Sequence, residues 1–126
     1  MSRLADLLQT DDWKTEKHVP AIEVNKSGDE RVEITASVGK EIAHPNTTEH
    51  HINWIELYFL PAGEKHPYQV GRYEFAAHGA STEGPDTSDV YSPPEVSTAL
   101  NTSKSGTLIA KSYCNIHGLW TSEVDV

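Results

Sequence analysis

The 126-residue chain holds one cysteine, Cys114, and one methionine, Met1. A lone thiol forms no intrachain disulfide and cannot by itself assemble a four-thiolate iron or zinc centre, so any metal site must be mostly imidazole. Basic residues are also few. Ten Lys and Arg stand against nineteen Asp and Glu, and the resulting formal charge of −9 opposes phosphate backbones and anionic membrane surfaces. Nucleic-acid binding is thereby excluded as the expected activity. No stretch approaches the roughly 18 consecutive apolar residues of a membrane span. The opening Met1-Ser2-Arg3-Leu4-Ala5-Asp6 is too polar and acidic for a signal peptide. The expectation is a soluble, cytoplasmic protein forming one domain over residues 1–126, long enough for a single core and not for two. With a hydrophobic fraction of 37%, the three Trp, five Tyr and two Phe are expected to supply much of the core volume.

Helical spacing is confined to Leu4, Leu7 and Leu8, a short N-terminal segment of at most two or three turns that Thr10-Asp11-Asp12 ends. Beyond it the period becomes two. Val32, Ile34, Ala36 and Val38 alternate with Glu33, Thr35 and Ser37, as one buried face of a strand requires. Similar runs cover Asn53–Leu60, Tyr68–Ala76, Glu95–Leu100, Gly106–Tyr113 and Leu119–Val124, separated by turn signals such as Ser27-Gly28-Asp29, Pro61-Ala62-Gly63 and Gly84-Pro85-Asp86. About seven closely spaced strands without intervening amphipathic helices predict an all-β antiparallel sandwich or barrel.

Histidine is what the chain does have. Cys114-Asn115-Ile116-His117 places a thiol and an imidazole where one tight turn brings both to a single ion, and backbone N–H groups of that turn can bond the sulfur. Upstream, Ala43-His44-Pro45-Asn46-Thr47-Thr48-Glu49-His50-His51 is a loop that can fold back to offer two imidazoles. Adjacent residues of extended backbone point to opposite sides, so only one of His50 and His51 is expected to join. His18 stands alone in Glu16-Lys17-His18-Val19-Pro20, and His66 and His78 are assigned to structure or solvent. One thiolate with several imidazoles favours a redox-active transition metal, iron or copper, over zinc or calcium.

Three blocks, Glu16 to Pro20, Val38 to Ile52 and Tyr113 to Trp120, resemble the signature of superoxide reductases of the one-iron, neelaredoxin-like type, and the intervening sequence fits over nearly the whole chain. The resemblance implies an immunoglobulin-like β-barrel holding one mononuclear iron per chain, with His18, His44, His50 and His117 as imidazole ligands and Cys114 as the axial thiolate. It thereby favours His50 over His51. It further implies that Glu16 is the carboxylate able to fill the sixth position of ferric iron and that Lys17 is the cation beside the open face. The larger desulfoferrodoxin-type relatives carry an extra N-terminal iron domain held by cysteines, which a chain with one Cys lacks. One departure is Ala43, where family members often have proline before the His-Pro pair; it loosens that loop and removes no ligand. The implied reaction is one-electron reduction of superoxide to hydrogen peroxide, with the iron reduced again by an external donor similar to rubredoxin, in a homo-oligomer, most often a tetramer.

Two other classes compete. A cupredoxin-like electron carrier expects two His, one Cys and usually an axial Met in the C-terminal loop, whereas the only Met is Met1. A non-catalytic metal-binding module, with zinc for example, would stop at four tetrahedral ligands where five positions match. Trp13, Trp54 and Trp120 are read as core packing.

Overall fold

The structure, a computed structural model, describes residues 3–126. Met1 and Ser2, which the one-domain expectation includes, lie outside the described residues. One turn of helix, α1 (Leu4–Leu7), precedes seven strands: β1 (Pro20–Lys26), β2 (Arg31–Val38), β3 (Ile52–Pro61), β4 (Tyr68–Glu74), β5 (Glu95–Asn101), β6 (Gly106–Cys114) and β7 (Gly118–Asp125). The strands form a three-stranded sheet, β1-β2-β5, and a four-stranded sheet, β4-β3-β6-β7, with every named pairing antiparallel. This is the expected immunoglobulin-like sandwich.

Alternation builds the core. Val32, Ile34, Ala36 and Val38 of β2 face inward against Ile55, Leu57 and Phe59 of β3 and Leu108, Ala110 and Cys114 of β6, in one buried cluster. At about 25 cal/mol per Å² of apolar surface removed from water, these aliphatic side chains supply the main drive for closing the two sheets. The tryptophans do not contribute as expected. All three are only partly buried, and the core is aliphatic apart from Phe59 and Phe75. Trp54 lies on the outer face of β3, stacked on Tyr113 with ring centroids 5.8 Å apart and with the Arg72 guanidinium 4.5 Å above it. The outer positions of β3 exchange with the inner ones because the side-chain period is two, so Trp54 and Glu56 share a face that Ile55 cannot.

Leu4 and Leu7 have the predicted helical spacing, yet both are more than half exposed, at 55% and 54%, and Leu8 falls outside the helix. A four-residue helix has no length over which to bury a stripe. Gln9 then pairs in parallel with Trp120, which lays the following segment along the edge of β7.

The register fixes where function can sit. Pro20 pairs with Val38, Ile52 with Cys114 and Cys114 with Gly118. The start of β1, the end of β2, the start of β3, the end of β6 and the start of β7 therefore meet at one end of the sandwich. Every segment singled out for its histidines or its cysteine joins at this end.

Candidate metal centre

Cys114 is the last inward-facing residue of β6, so the same alternation that buries Leu108 and Ala110 carries its sulfur to the end of the core, fully buried. The chain then reverses through Asn115, Ile116 and His117 and re-enters the sheet at Gly118, whose φ of +84° suits glycine. The turn brings the His117 backbone N–H to 3.3 Å from Cys114 Sγ, which it donates to, and the His117 ring Nδ1 to 3.8 Å from the same sulfur. The expected backbone donor to the sulfur is thus present.

His18 immediately precedes the β1 region and is buried, at 7% exposure. Its carbonyl accepts a hydrogen bond from Ser112 Oγ at 3.4 Å, two residues before the cysteine on β6. Its ring Nδ1 lies 2.6 Å from Glu16 Oε1, whose carboxylate also accepts the His18 backbone N–H at 2.5 Å. The opposite nitrogen, Nε2, lies 3.0 Å from His117 Nδ1. His44, at 9% exposure, shows the same logic: Nδ1 is bonded to the Pro45 carbonyl at 2.7 Å, which turns Nε2 toward Cys114 Sγ at 3.5 Å. Gly39 makes room for this loop, since a Cβ there would meet the His44 backbone nitrogen at 2.6 Å.

His50 completes the set, its Nε2 lying 3.2 Å from His117 Nδ1. His51 turns away: its Nδ1 is bonded to the Thr47 carbonyl at 2.7 Å and its ring is stacked on His78 at 3.5 Å between centroids. The choice between the two neighbours falls on His50. His18, His44, His50 and Cys114 each offer one ligand atom, all within 4.8 Å of one another, as a group that could hold one metal ion. His117 joins through the three contacts above.

The donor set fits a single ion of high coordination number. Adjacent nitrogens about 2.1 Å from an ion and at right angles to one another are about 3.0 Å apart. His117 Nδ1 stands at 3.0 and 3.2 Å from the nitrogens of His18 and His50. Sulfur, with its longer bond, is expected farther out, as the 3.5 and 3.8 Å contacts to His44 and His117 show. With His117 added to the group of four, the candidate donors would number five, one more than a closed tetrahedral zinc site takes.

The site's electrostatics hold the imidazoles ready. Burial, followed by the charges of His18, His50 and Lys17, lowers the pKa of His44 to about 4 against the raising effect of the Pro45 carbonyl. His50 is lowered as well, by burial and then by the charges of His117, His18, Lys17 and His51. Both are neutral at pH 7, the form that binds metal. Burial alone would raise Glu16, but hydrogen bonds from the His18 backbone and ring and the charges of His18 and Lys17 bring it below the ordinary carboxylate value. Lys17, half-buried, thus acts on Glu16, His44 and His50 alike. Glu16 stands on the outer nitrogen of His18 rather than among the converging ligand atoms.

Several supporting residues carry no signal that sequence spacing reveals. Asn115 Oδ1 accepts the His51 backbone N–H at 2.9 Å and its Nδ2 donates to the Glu49 carbonyl at 2.8 Å, joining the cysteine turn to the histidine loop. The His117 carbonyl accepts from both Gln9 Nε2, at 2.8 Å, and Trp120 Nε1, at 3.2 Å. Trp120, expected in the core, instead stacks on the His18 ring at 5.1 Å.

Fold and site together define a β-sandwich protein with a cluster of imidazoles and one cysteine sulfur at the end of its strands that could hold a metal ion. Residues 10–123 match the desulfoferrodoxin family model. The chain is 60% identical over 121 residues to the superoxide reductase of Pyrococcus furiosus, covering 96% of this chain and 97% of that protein. It is 53% identical over 122 residues to the neelaredoxin of Megalodesulfovibrio gigas, covering 95% and 94%. Among solved structures it resembles the superoxide reductase (neelaredoxin) from Archaeoglobus fulgidus in the reduced form, with a TM-score of 0.91 at 62% identity and coverage of 95% and 98%. The chain belongs to the desulfoferrodoxin family.

Proposed function

We propose that this chain is a superoxide reductase that uses one mononuclear iron, held by His18, His44, His50, His117 and Cys114. The observation that supports this reading is the grouping of ligand atoms of His18, His44 and His50 with the buried Cys114 sulfur, all within 4.8 Å of one another, with His117 Nδ1 at 3.0 and 3.2 Å from the nitrogens of His18 and His50. The proposed unit is the whole chain, residues 1–126. Bound iron supplies one electron to superoxide in the reaction O2•− + e− + 2H+ → H2O2, and no oxygen is produced.

The chain's own groups shape that reaction. The buried Cys114 sulfur sits in a low-dielectric pocket where its charge is strongly felt, and the His117 N–H tempers it by stabilising the thiolate. Lys17 provides local positive charge against an overall −9 that repels an anionic substrate, so attraction of superoxide depends on this neighbourhood. Glu16 holds the Nδ1 proton of His18 while it remains on that ring. Its proposed second role, as a further ligand were iron bound, would require it to leave His18. A cupredoxin-like carrier is disfavoured because four imidazoles, not two, surround the thiolate.

The electron is proposed to come from a rubredoxin-like carrier, and the protein to work as a cytoplasmic homo-oligomer, a tetramer by family resemblance. Among the described residues no helix is long and apolar enough to cross a membrane.

The test is metal content, visible spectrum and activity of the wild type beside Cys114→Ser. One iron per chain, a thiolate-to-ferric charge-transfer band lost in the variant, and superoxide consumed without oxygen evolution are expected. Copper in place of iron, with no superoxide consumption, would overturn the proposal.

A further inference from the structure

The connection between β4 and β5 supplies none of the converging ligand atoms, yet it grips the loop that supplies two of them. It is a stiff arm. Ser92 N–H donates to the Ala77 carbonyl at 2.7 Å, Gly79 N–H to the Val90 carbonyl at 3.1 Å and Ser88 N–H to the Gly79 carbonyl at 2.9 Å, so its two limbs are cross-linked along their length.

From this arm Asp86 reaches Thr48, which lies between His44 and His50. Thr48 N–H donates to Asp86 Oδ1 at 2.8 Å and Thr48 Oγ1 donates to Oδ2 at 3.3 Å, so both carboxylate oxygens are spent on one residue of the ligand loop. Asp86 is also the one non-glycine among the described residues with positive φ, at +55°. That conformation costs an L residue free energy and persists where the surroundings over-determine it. A second grip lies beside it. Asn46 donates from Nδ2 to the Ser92 carbonyl at 2.8 Å, and its Oδ1 lies 2.8 Å from His78 Nδ1. The ring of His78, whose Nε2 lies 2.7 Å from the Phe75 carbonyl, stacks on His51 at 6° between planes.

Loop 44–51 has no strand ladder to hold it. Its shape is set by bonds within itself, such as Thr47 N–H to the His50 carbonyl at 3.0 Å, by Asn115 on one side and by this arm on the other. We infer that Asp86 is a positioning residue for the metal centre, clamping Thr48 so that His44 and His50 present their Nε2 atoms to the same ion. The inference rests on the iron site proposed above.

Asp86→Gly and Asp86→Asn separate the carboxylate from the backbone. Glycine accepts the positive φ without strain and removes the clamp, whereas asparagine tolerates the same φ and keeps an oxygen for Thr48 N–H. In metal-free protein, amide hydrogen exchange across residues 44–50 is expected to accelerate about tenfold in Asp86→Gly and to stay near wild type in Asp86→Asn. In iron-loaded protein, release of ferrous iron to a chelator is expected to accelerate about tenfold in the glycine variant alone. Wild-type exchange and wild-type release in Asp86→Gly would overturn the inference even if its melting temperature falls, because a merely structural aspartate would lower stability without loosening this loop. If the glycine variant fails to fold without metal, release of ferrous iron from iron-loaded Asp86→Gly decides alone, and release at the wild-type rate overturns the inference. A wild-type protein that holds no iron would refute the site itself, while the exchange comparison would still decide the clamp.

Discussion

Acidification should destabilise the metal-free protein well above the pH at which its carboxylates titrate. His44 is buried and has a pKa of about 4 in the native state against 6.5 for the exposed group, the largest cause being loss of solvent around the ring. Below pH 6.5 the unfolded chain binds a proton that the native chain refuses, so native stability falls as pH drops and levels off only below about 4. The full difference is 2.5 pH units at about 1.4 kcal/mol each, or about 3 kcal/mol. Of this, about 2 kcal/mol is lost between pH 7 and pH 5. His50 and His78 are lowered chiefly by burial as well and add to the loss in the same direction.

The lowered carboxylates act in a different window. Burial alone would raise Glu16 and Glu56, yet hydrogen bonds from His18 to the first, and from Arg72 and Lys111 to the second, hold both below 4.5. Their stabilisation is present above the unfolded value and is lost only as pH falls through the lower native one, so it survives at pH 5. Urea unfolding of metal-free wild type and His44→Gln at pH 7 and pH 5 measures the effect. The wild type is expected to lose at least about 2 kcal/mol, a midpoint shift of roughly 1 M, and His44→Gln to lose about 2 kcal/mol less. A wild-type loss below about 1 kcal/mol, or an equal loss in the variant, would refute the argument.

Gly39→Ala is expected to cost about 2 kcal/mol or more, because φ is +86° and the new methyl would meet the His44 backbone nitrogen at 2.6 Å; thermal unfolding and iron content should fall together. Lys17→Ala is expected to lower the rate constant for superoxide several-fold at low salt and to flatten its ionic-strength dependence while iron remains bound, and an unchanged low-salt rate would remove Lys17 from the steering role.

β2 was legible from its alternation, and β1 was not legible. β2 shows its inward face in every second residue from Val32 to Val38. β1 buries Pro20, Ala21 and Ile22 in succession and then exposes Val24, so it offers neither a period of two nor a contrast between faces. The spacing of Cys114 and His117 gave only a weak signal of a site, and the loop from His44 to His50 suggested one. His18 had no local signal, and only resemblance to a family joined it to the others. The long-range bonds behind the ligands were invisible for a general reason: Thr48 and Asp86 are 38 residues apart, and neither has a composition or a period that requires the other. Size does not imply burial for the tryptophans, all three of which are only partly buried. A sandwich with narrow, aliphatic interior layers places large rings at outer positions and strand ends, and Trp54 and Trp120 occupy such places.

The protein fixes its ligand tautomers through hydrogen bonds of its own. Glu16 takes His18 Nδ1 and the Pro45 carbonyl takes His44 Nδ1, so each ring must present Nε2; the Thr47 carbonyl takes His51 Nδ1 and that ring leaves the cluster for His78. Two of these three acceptors are backbone carbonyls, which stay in place as long as the loop does. Glu16 is the exception, a flexible side chain on a buried imidazole. If it leaves His18, it removes the acceptor that orients the ring, and the unpaired Nδ1–H must find another partner or bear the cost of a buried donor, about 1–3 kcal/mol. The hold on His18 and the proposed closure of the site by Glu16 would therefore be competing uses of one carboxylate, whose pKa is lowered against the effect of burial first by the hydrogen bonds from His18 and last by the charge of Lys17.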